Sequence, residues 1–259
     1  MKKTLSVIIP SREQPNQKAF IERAIKSINS QTCFGRFEVT ILVGVDAGKI
    51  PQISLSEKIK LKFTESSGSS QAAALNAAIR VVDTDFVAFL EDDDEWMPHF
   101  LETAMDAVLR APFVSSTQLE YDEFNRILRI NDFPTPSGWF MAKNTLDEVG
   151  EFNEDYRFHL DNEWLGRLCE LKIPRLHMVE LTAPMDLGLM KQVRPWLANV
   201  IQNSGGLAKV AKHKHPIPLV RRLVHSGSGM AKIASTPSLK EISIKECQNL
   251  IGRFGRIPW

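Results

Sequence analysis

Residues 89–96 read FLEDDDEW, and Glu91, Asp92, Asp93 and Asp94 follow directly on the apolar run FVAFL (86–90). Like charges at one point repel, so four adjacent carboxylates need a counter-charge close by. Two readings account for them. One or two suit the cap and first turn of the helix predicted over PHFLETAMDAVLR (98–110), with Pro98 in its first turn. Capping does not use all four. An oxygen-only cluster also suits a hard divalent ion, Mn2+ or Mg2+, that keeps waters and bridges to substrate phosphates. The run lacks the spaced ligands and central glycine of an EF-hand loop. Spacing alone leaves capping and metal binding both open.

These carboxylates are positioned by what precedes them. LSVIIP (5–10), FEVTILVGVDAG (37–48), KIKLKF (58–63) and FVAFL read as strands, short and rich in β-branched or apolar residues. PNQKAFIERAIKSINSQ (15–31) has apolar residues at helical spacing, and SSQAAALNAAIRVV (69–82) is an alanine-rich helix. Strands alternating with helices predict a mostly parallel sheet with right-handed crossovers, whose ligands bind beyond the carboxyl ends of the strands. Ser11-Arg12-Glu13, Asp46 and the acidic run all fall at such ends. Further on, residues 111–140 read as short strands and turns, and LDNEWLGRLCELKI (160–173) as a helix. There Asp161 is well placed to act as an N-cap and Glu163 to complement the helix dipole.

The net charge of +1 conceals an asymmetry. Residues 191–259 hold 12 Lys+Arg against 2 Asp+Glu, net +10, whereas residues 1–190 hold 20 against 29, net −9. A basic segment beside an acidic body either meets an anionic partner, such as a membrane surface or polyanion, or folds back on the body. Glycine- and serine-rich breaks at 204–206 and 226–229 predict short helices on flexible joints there, SGSG being a hinge. KHKHP (212–216), Lys191 and Arg194 read as surface charge. The three cysteines, without metal-type spacing, fit a reducing compartment, and no run approaches the roughly 20 apolar residues of a membrane span. These features predict a cytoplasmic protein, peripheral to the membrane if the basic tail binds there.

Taken in order, several segments resemble glycosyltransferase family 2. SVIIPSRE is similar to the family's opening strand, AIKSINSQ to its Ser-x-x-x-Gln segment, and LNAAIRVVDTDFVAFLEDDDEW to its Arg-Asn-x-Gly … Phe-Leu-Asp-x-Asp-Asp block. LDEVGEFNEDYRFHLDNEWLGRL resembles its later Val-Gly-x-Phe block with the acidic residues that follow. The resemblance runs over about residues 4–180. It implies a GT-A fold, an α/β architecture with a Rossmann-like, mostly parallel sheet flanked by helices. Residues 1–97 would be the nucleotide-sugar half, 98–190 the acceptor half and 191–259 a basic helical extension. It also implies an inverting, metal-dependent transfer of sugar from a nucleotide donor to a glycan or lipid-linked acceptor.

On the matching positions, Asp93 becomes the first metal ligand with Asp94 beside it, and Asp161 the catalytic base. Pro10, Ser11, Glu13, Asp46, Asn76, Glu91 and Asp92 would contact the nucleotide sugar. Apart from the resemblance, Trp139, which follows a turn-rich loop in PTPSGWF and could stack on a sugar face, and Glu163 are candidates for the acceptor side. Nucleic acid is not an expected partner, and a homo-oligomer is compatible with the chain. The departures are Glu91 for the usual Asp, Val45 for the first of an Asp pair, Leu75 for Arg, and Leu160 for the Glu before the base. They keep two other readings in view. One is a catalytically silent nucleotide-sugar-binding scaffold. The other is a sugar-1-phosphate nucleotidyltransferase, for which SREQPNQ lacks the glycine-rich loop.

Overall fold

The structure, a computed structural model, describes residues 2–53, 60–131, 133–179, 208–211 and 218–259. Strands β1 (Lys3–Ser11), β2 (Phe37–Asp46), β3 (Lys60–Ser66) and β4 (Phe86–Phe89) form the parallel half of an eight-stranded sheet. The other half contains β6 (Phe113–Ser116), β9 (Phe140–Ala142), β10 (Arg175–Met178) and β11 (Ala208–Ala211). Its order is β11-β10-β6-β9-β4-β1-β2-β3, and only β9 runs antiparallel to its neighbours among the described residues. A smaller sheet of order β5-β12-β7-β8 joins β5 (Glu95–Trp96), β12 (Val220–Val224), β7 (Gln118–Asp122) and β8 (Ile127–Asn131).

Period-two alternation sorts the large sheet's side chains into two cores. Val7, Ile9, Ile41, Val43 and Val45 pack toward α1 (Gln17–Asn29) and α3 (Phe100–Val108). Ile8, Leu42, Val87 and Phe89 face α2 (Gln71–Ile79), Trp139 and α5 (Leu160–Glu170). The alanines of α2 let it lie close: a Cβ on Gly44 of β2 would collide with the Ala74 carbonyl. The α2 helix begins at Ser70, whose hydroxyl accepts the Ala73 N–H at 3.0 Å. Pro98 lies outside α3, because His99 is the capping residue.

The region from 191 onward differs from a purely helical extension. Two strands lie in it, β11 and β12, and β12 is an interior strand of the smaller sheet between β5 and β7. That sheet therefore draws on all three segments proposed from sequence. Past β12, Ser228 of the SGSG stretch caps α6 (Gly229–Ser235), and α7 (Pro237–Phe254) packs against α5. Lys191, Arg194, the 204–206 break and KHKHP lie outside the described residues. No described helix is long and apolar enough to cross a membrane.

Candidate active site

Because β1 to β4 run parallel, their carboxyl ends share one rim, and Ser11, Asp46, Ser66 and the 90–94 loop meet there. A cavity of about 490 Å3 opens on it, lined by Glu13, Asp46, Lys49 and the Ser66–Ser69 turn. Asp46 leans on Arg12 at 3.5 Å through Oδ2, while its buried Oδ1 has no hydrogen-bond partner. A buried acceptor left unmatched is costly unless something supplies a donor, such as a hydroxyl or ring N–H. Glu13 pairs with Lys49 at the cavity's edge, exposed to solvent.

The acidic loop is held by its neighbours. Asp92 Oδ2 accepts from the Ser11 hydroxyl at 2.6 Å and from the Gln14 amide at 3.2 Å. Ser137, in the turn before Trp139, donates to Asp94 Oδ2 at 2.6 Å and accepts the Glu91 N–H. Asp94 Oδ1 takes the Leu223 N–H of β12. One carboxylate oxygen from each of Glu91, Asp93 and Asp94 lies within 4.8 Å of the others, a spacing that suits a single divalent ion. Asp94 is buried with both oxygens engaged, so Asp93 and Glu91 keep more free acceptor capacity.

Arg222, near the far end of the chain, brings a buried positive charge to this cluster, and His225 adds a polar contact. Arg222 of β12 donates to Glu120 Oε1 at 2.8 Å, and His225 Nε2 lies 2.9 Å from Asp93 Oδ2. Burial alone would lower the Arg222 pKa, but Asp94, Glu91, Glu120 and Asp93 outweigh it and raise it. Even so, the cluster stays rich in negative charge. Burial, then the charge of Asp93, pushes Glu91 up to about 7 and Asp92 up to about 8. The same causes place Asp94 well above the usual carboxylate range.

Asp161 is the second residue of α5 and lies close enough to add to the field on Glu91. It does not cap the helix: the capping residue is His159, and Asp161 Oδ1 takes the N–H of the adjacent Asn162. Burial raises its pKa.

Three of the residues singled out from sequence sit elsewhere. Trp139 is fully buried among Phe89, Phe113, Phe152 and Trp164, with its indole N–H on the Pro134 carbonyl, so it has no face for a sugar. Glu163 is 1% exposed and tied to Arg167 and to Arg253 of α7, at 3.0 Å each, which takes it out of the acceptor side. Asn76 is likewise buried. Its amide donates to the Phe152 carbonyl and accepts the Phe152 N–H, clamping α2 to the 150 loop and leaving no side-chain atom for a nucleotide. Trp96 stacks on Phe100 in the core. Arg222, His225, Glu120 and Ser137 were not found by local spacing. The only advance sign of the first two was the basic excess after residue 190.

A family model, Glycosyl transferase family 2, matches residues 6–165, more than half of the chain. The chain belongs to glycosyltransferase family 2. Comparison with curated proteins by sequence gives no match. Among solved structures, this family 2 chain is similar to S. aureus TarS 1–349 in complex with UDP-GlcNAc, at TM-score 0.55 and 14% identity over 93% of this chain and 66% of that one. The complex of TarS 1–349 with UDP gives 0.52 and 14% over 86% and 61%. A mannosyltransferase from Pyrobaculum calidifontis, in complex with GDP-Man and Mn2+, is more distant, at 0.47 and 14% over 68% and 54%. The chain thus spans under two thirds of these structures, and the likeness to TarS establishes the shared GT-A fold. Where it departs from the family's pattern, Val45, Leu75 and Leu160 are all buried core residues. Each fills apolar space, and Asp46 and Asp161, beside two of them, remain at the site.

Proposed function

We propose that the chain transfers a sugar from a nucleotide-diphosphate donor to an acceptor hydroxyl, with inversion at the anomeric carbon. The observation that carries this is the meeting of Glu91, Asp93 and Asp94 on the strand-end rim with Asp161 in electrostatic reach. The cavity beside Asp46 suits the nucleoside, and its unmatched Oδ1 suits a ribose hydroxyl or base N–H. Asp93 and Glu91, with Asp94 behind them, are the residues that would hold a divalent ion. Such an ion, when bound, stabilises the charge that collects on the departing diphosphate.

The chain's own residues do the rest. Asp161 takes the proton of the acceptor hydroxyl as its oxygen bonds to the anomeric carbon and the bond from that carbon to the diphosphate breaks. The electron pair leaves on the nucleoside diphosphate. A carboxylate raised by burial is a stronger base near neutral pH than a solvated one, and assistance of this kind contributes ~10²–10⁴-fold.

A panel of nucleotide sugars, assayed for nucleotide release with Mn2+, with Mg2+ and with EDTA, tests the reading. Metal-dependent release from at least one donor, lost in Asp93→Ala, is expected. If no donor is turned over but one binds tightly, the protein is a nucleotide-sugar-binding scaffold instead.

A further inference from the structure

Helix α7 closes on α5 through a close approach at Gly166, where a Cβ would sit 2.5 Å from the Phe254 ring. Its buried Glu246 makes an unusual set of bonds. Oε1 accepts the Arg157 N–H at 2.7 Å, and Oε2 accepts those of Phe158 and His159 at 3.0 Å each. Three successive peptide donors converging on one carboxylate fix the chain that leads into α5. A second tie lies one turn away. Asn162 donates its amide to the Pro258 carbonyl, which turns its Oδ1 toward His159 Nδ1 at 3.1 Å. An amide oxygen only accepts, so Nδ1 donates to it, while Nε2 lies 2.8 Å from the Ser243 hydroxyl of α7 and 3.3 Å from Cys247 Sγ.

Asp161 lies between these two anchored points, one residue before Asn162 and two after His159. Its own protein hydrogen bond runs to Asn162 N–H, so its placement is inherited from the backbone on either side. From this we infer that Glu246 is a positioning residue for Asp161: α7, more than 80 residues further along the chain, sets where the base stands. The inference rests on Asp161 being that base. Ser243 and His159 support the same placement from the imidazole side.

The test is steady-state transfer, with donor affinity and thermal unfolding measured on the same preparations. Glu246→Ala frees three peptide N–H groups and lets the α5 entry drift, and a shift of about 1 Å in a reacting group costs up to ~100-fold. The expected result is kcat lower by ~10-fold or more, with donor affinity within ~2-fold of the parent. Glu246→Gln, which keeps the shape and one acceptor oxygen, should recover part of the loss. Ser243→Ala leaves the backbone bonds in place and should lower kcat by ~2- to 5-fold, so the inference is tested even if both Glu246 variants fail to fold. It is overturned if a folded Glu246→Ala keeps its kcat, if kcat and donor affinity fall together, or if Ser243→Ala has no effect when the Glu246 variants are unfolded. Asp161→Asn, run alongside, separates the two failures. If it keeps full activity, the base assignment is wrong; if it is inactive while Glu246→Ala is not, only the positioning role is wrong.

Discussion

Glu91, Asp93, Asp94 and Glu120 all act on the Arg222 guanidinium, and replacing it with methionine tests how the acidic rim is balanced. Methionine keeps much of the stem's bulk, so the loss is chiefly charge. Removing one partner of a buried ion pair costs about 3–5 kcal/mol, because the other charge is left without compensation. Part of that cost is already covered here. Glu120 keeps Arg129 at 2.6 Å and the Asn131 amide at 2.8 Å, and Asp94 keeps Ser137 and the Leu223 N–H. The lower end, about 3 kcal/mol, is therefore expected. For a domain of this size that is roughly 6–12 °C in melting temperature. The loss should be larger at pH 8.5 than at pH 6, since protonation of Glu91 and Asp92 relieves the repulsion that Arg222 now offsets. Mn2+ should raise the melting temperature of Arg222→Met more than that of the parent, because more uncompensated charge awaits it. Thermal unfolding at both pH values, with EDTA or Mn2+, reads all of this. A loss under about 2 °C at pH 8.5, or equal losses at both pH values, would show that Arg222 does not balance the rim.

The parent protein should itself be pH-sensitive without divalent ions. Glu91 and Asp92 have folded pKa values raised above their unfolded ones, so the fold binds extra protons. The stability this contributes is full below about pH 4 and lost as pH rises through 7 to 8. Melts in EDTA should fall by roughly 10 °C from pH 6 to pH 9, and a flat profile would contradict the burial argument. Asn76→Ala should destabilise by about 1–3 kcal/mol, since it strands the Phe152 N–H and carbonyl, yet leave donor affinity unchanged. Lost affinity at unchanged stability would return Asn76 to the nucleotide site. Asp161→Asn should lower kcat by ~10²–10⁴-fold with donor affinity kept, measured by transfer kinetics beside calorimetric titration.

Local pattern was enough for the frame. β-branched runs at 5–10 and 37–46 alternate with helical spacing at 17–29 and 71–79, and such periodicity leaves few options beyond a parallel sheet with its chemistry at the carboxyl edge. The acidic run and Asp46 were legible for the same reason, each sitting at the end of a strand, whereas Asp161 read locally as an N-cap and only the resemblance to glycosyltransferase family 2 pointed to it as a base. Burial was not legible. Trp139, Asn76 and Glu163 carry side chains fit for ligand contact, and only the packing of α2, α5 and α7 shows them turned inward.

What residue order determined by itself was the clustering of negative charge and the rim that carries it. What tertiary structure alone decided was that Arg222 meets that charge and that α7 ties the backbone on either side of Asp161. His225 and Asp93 are 132 residues apart, and Glu246 reaches back 87 residues to His159. Periodicity reports only on neighbours within a few residues. Contacts over such distances depend on where β12 enters its sheet and how closely α7 packs at Gly166, and no local pattern encodes either.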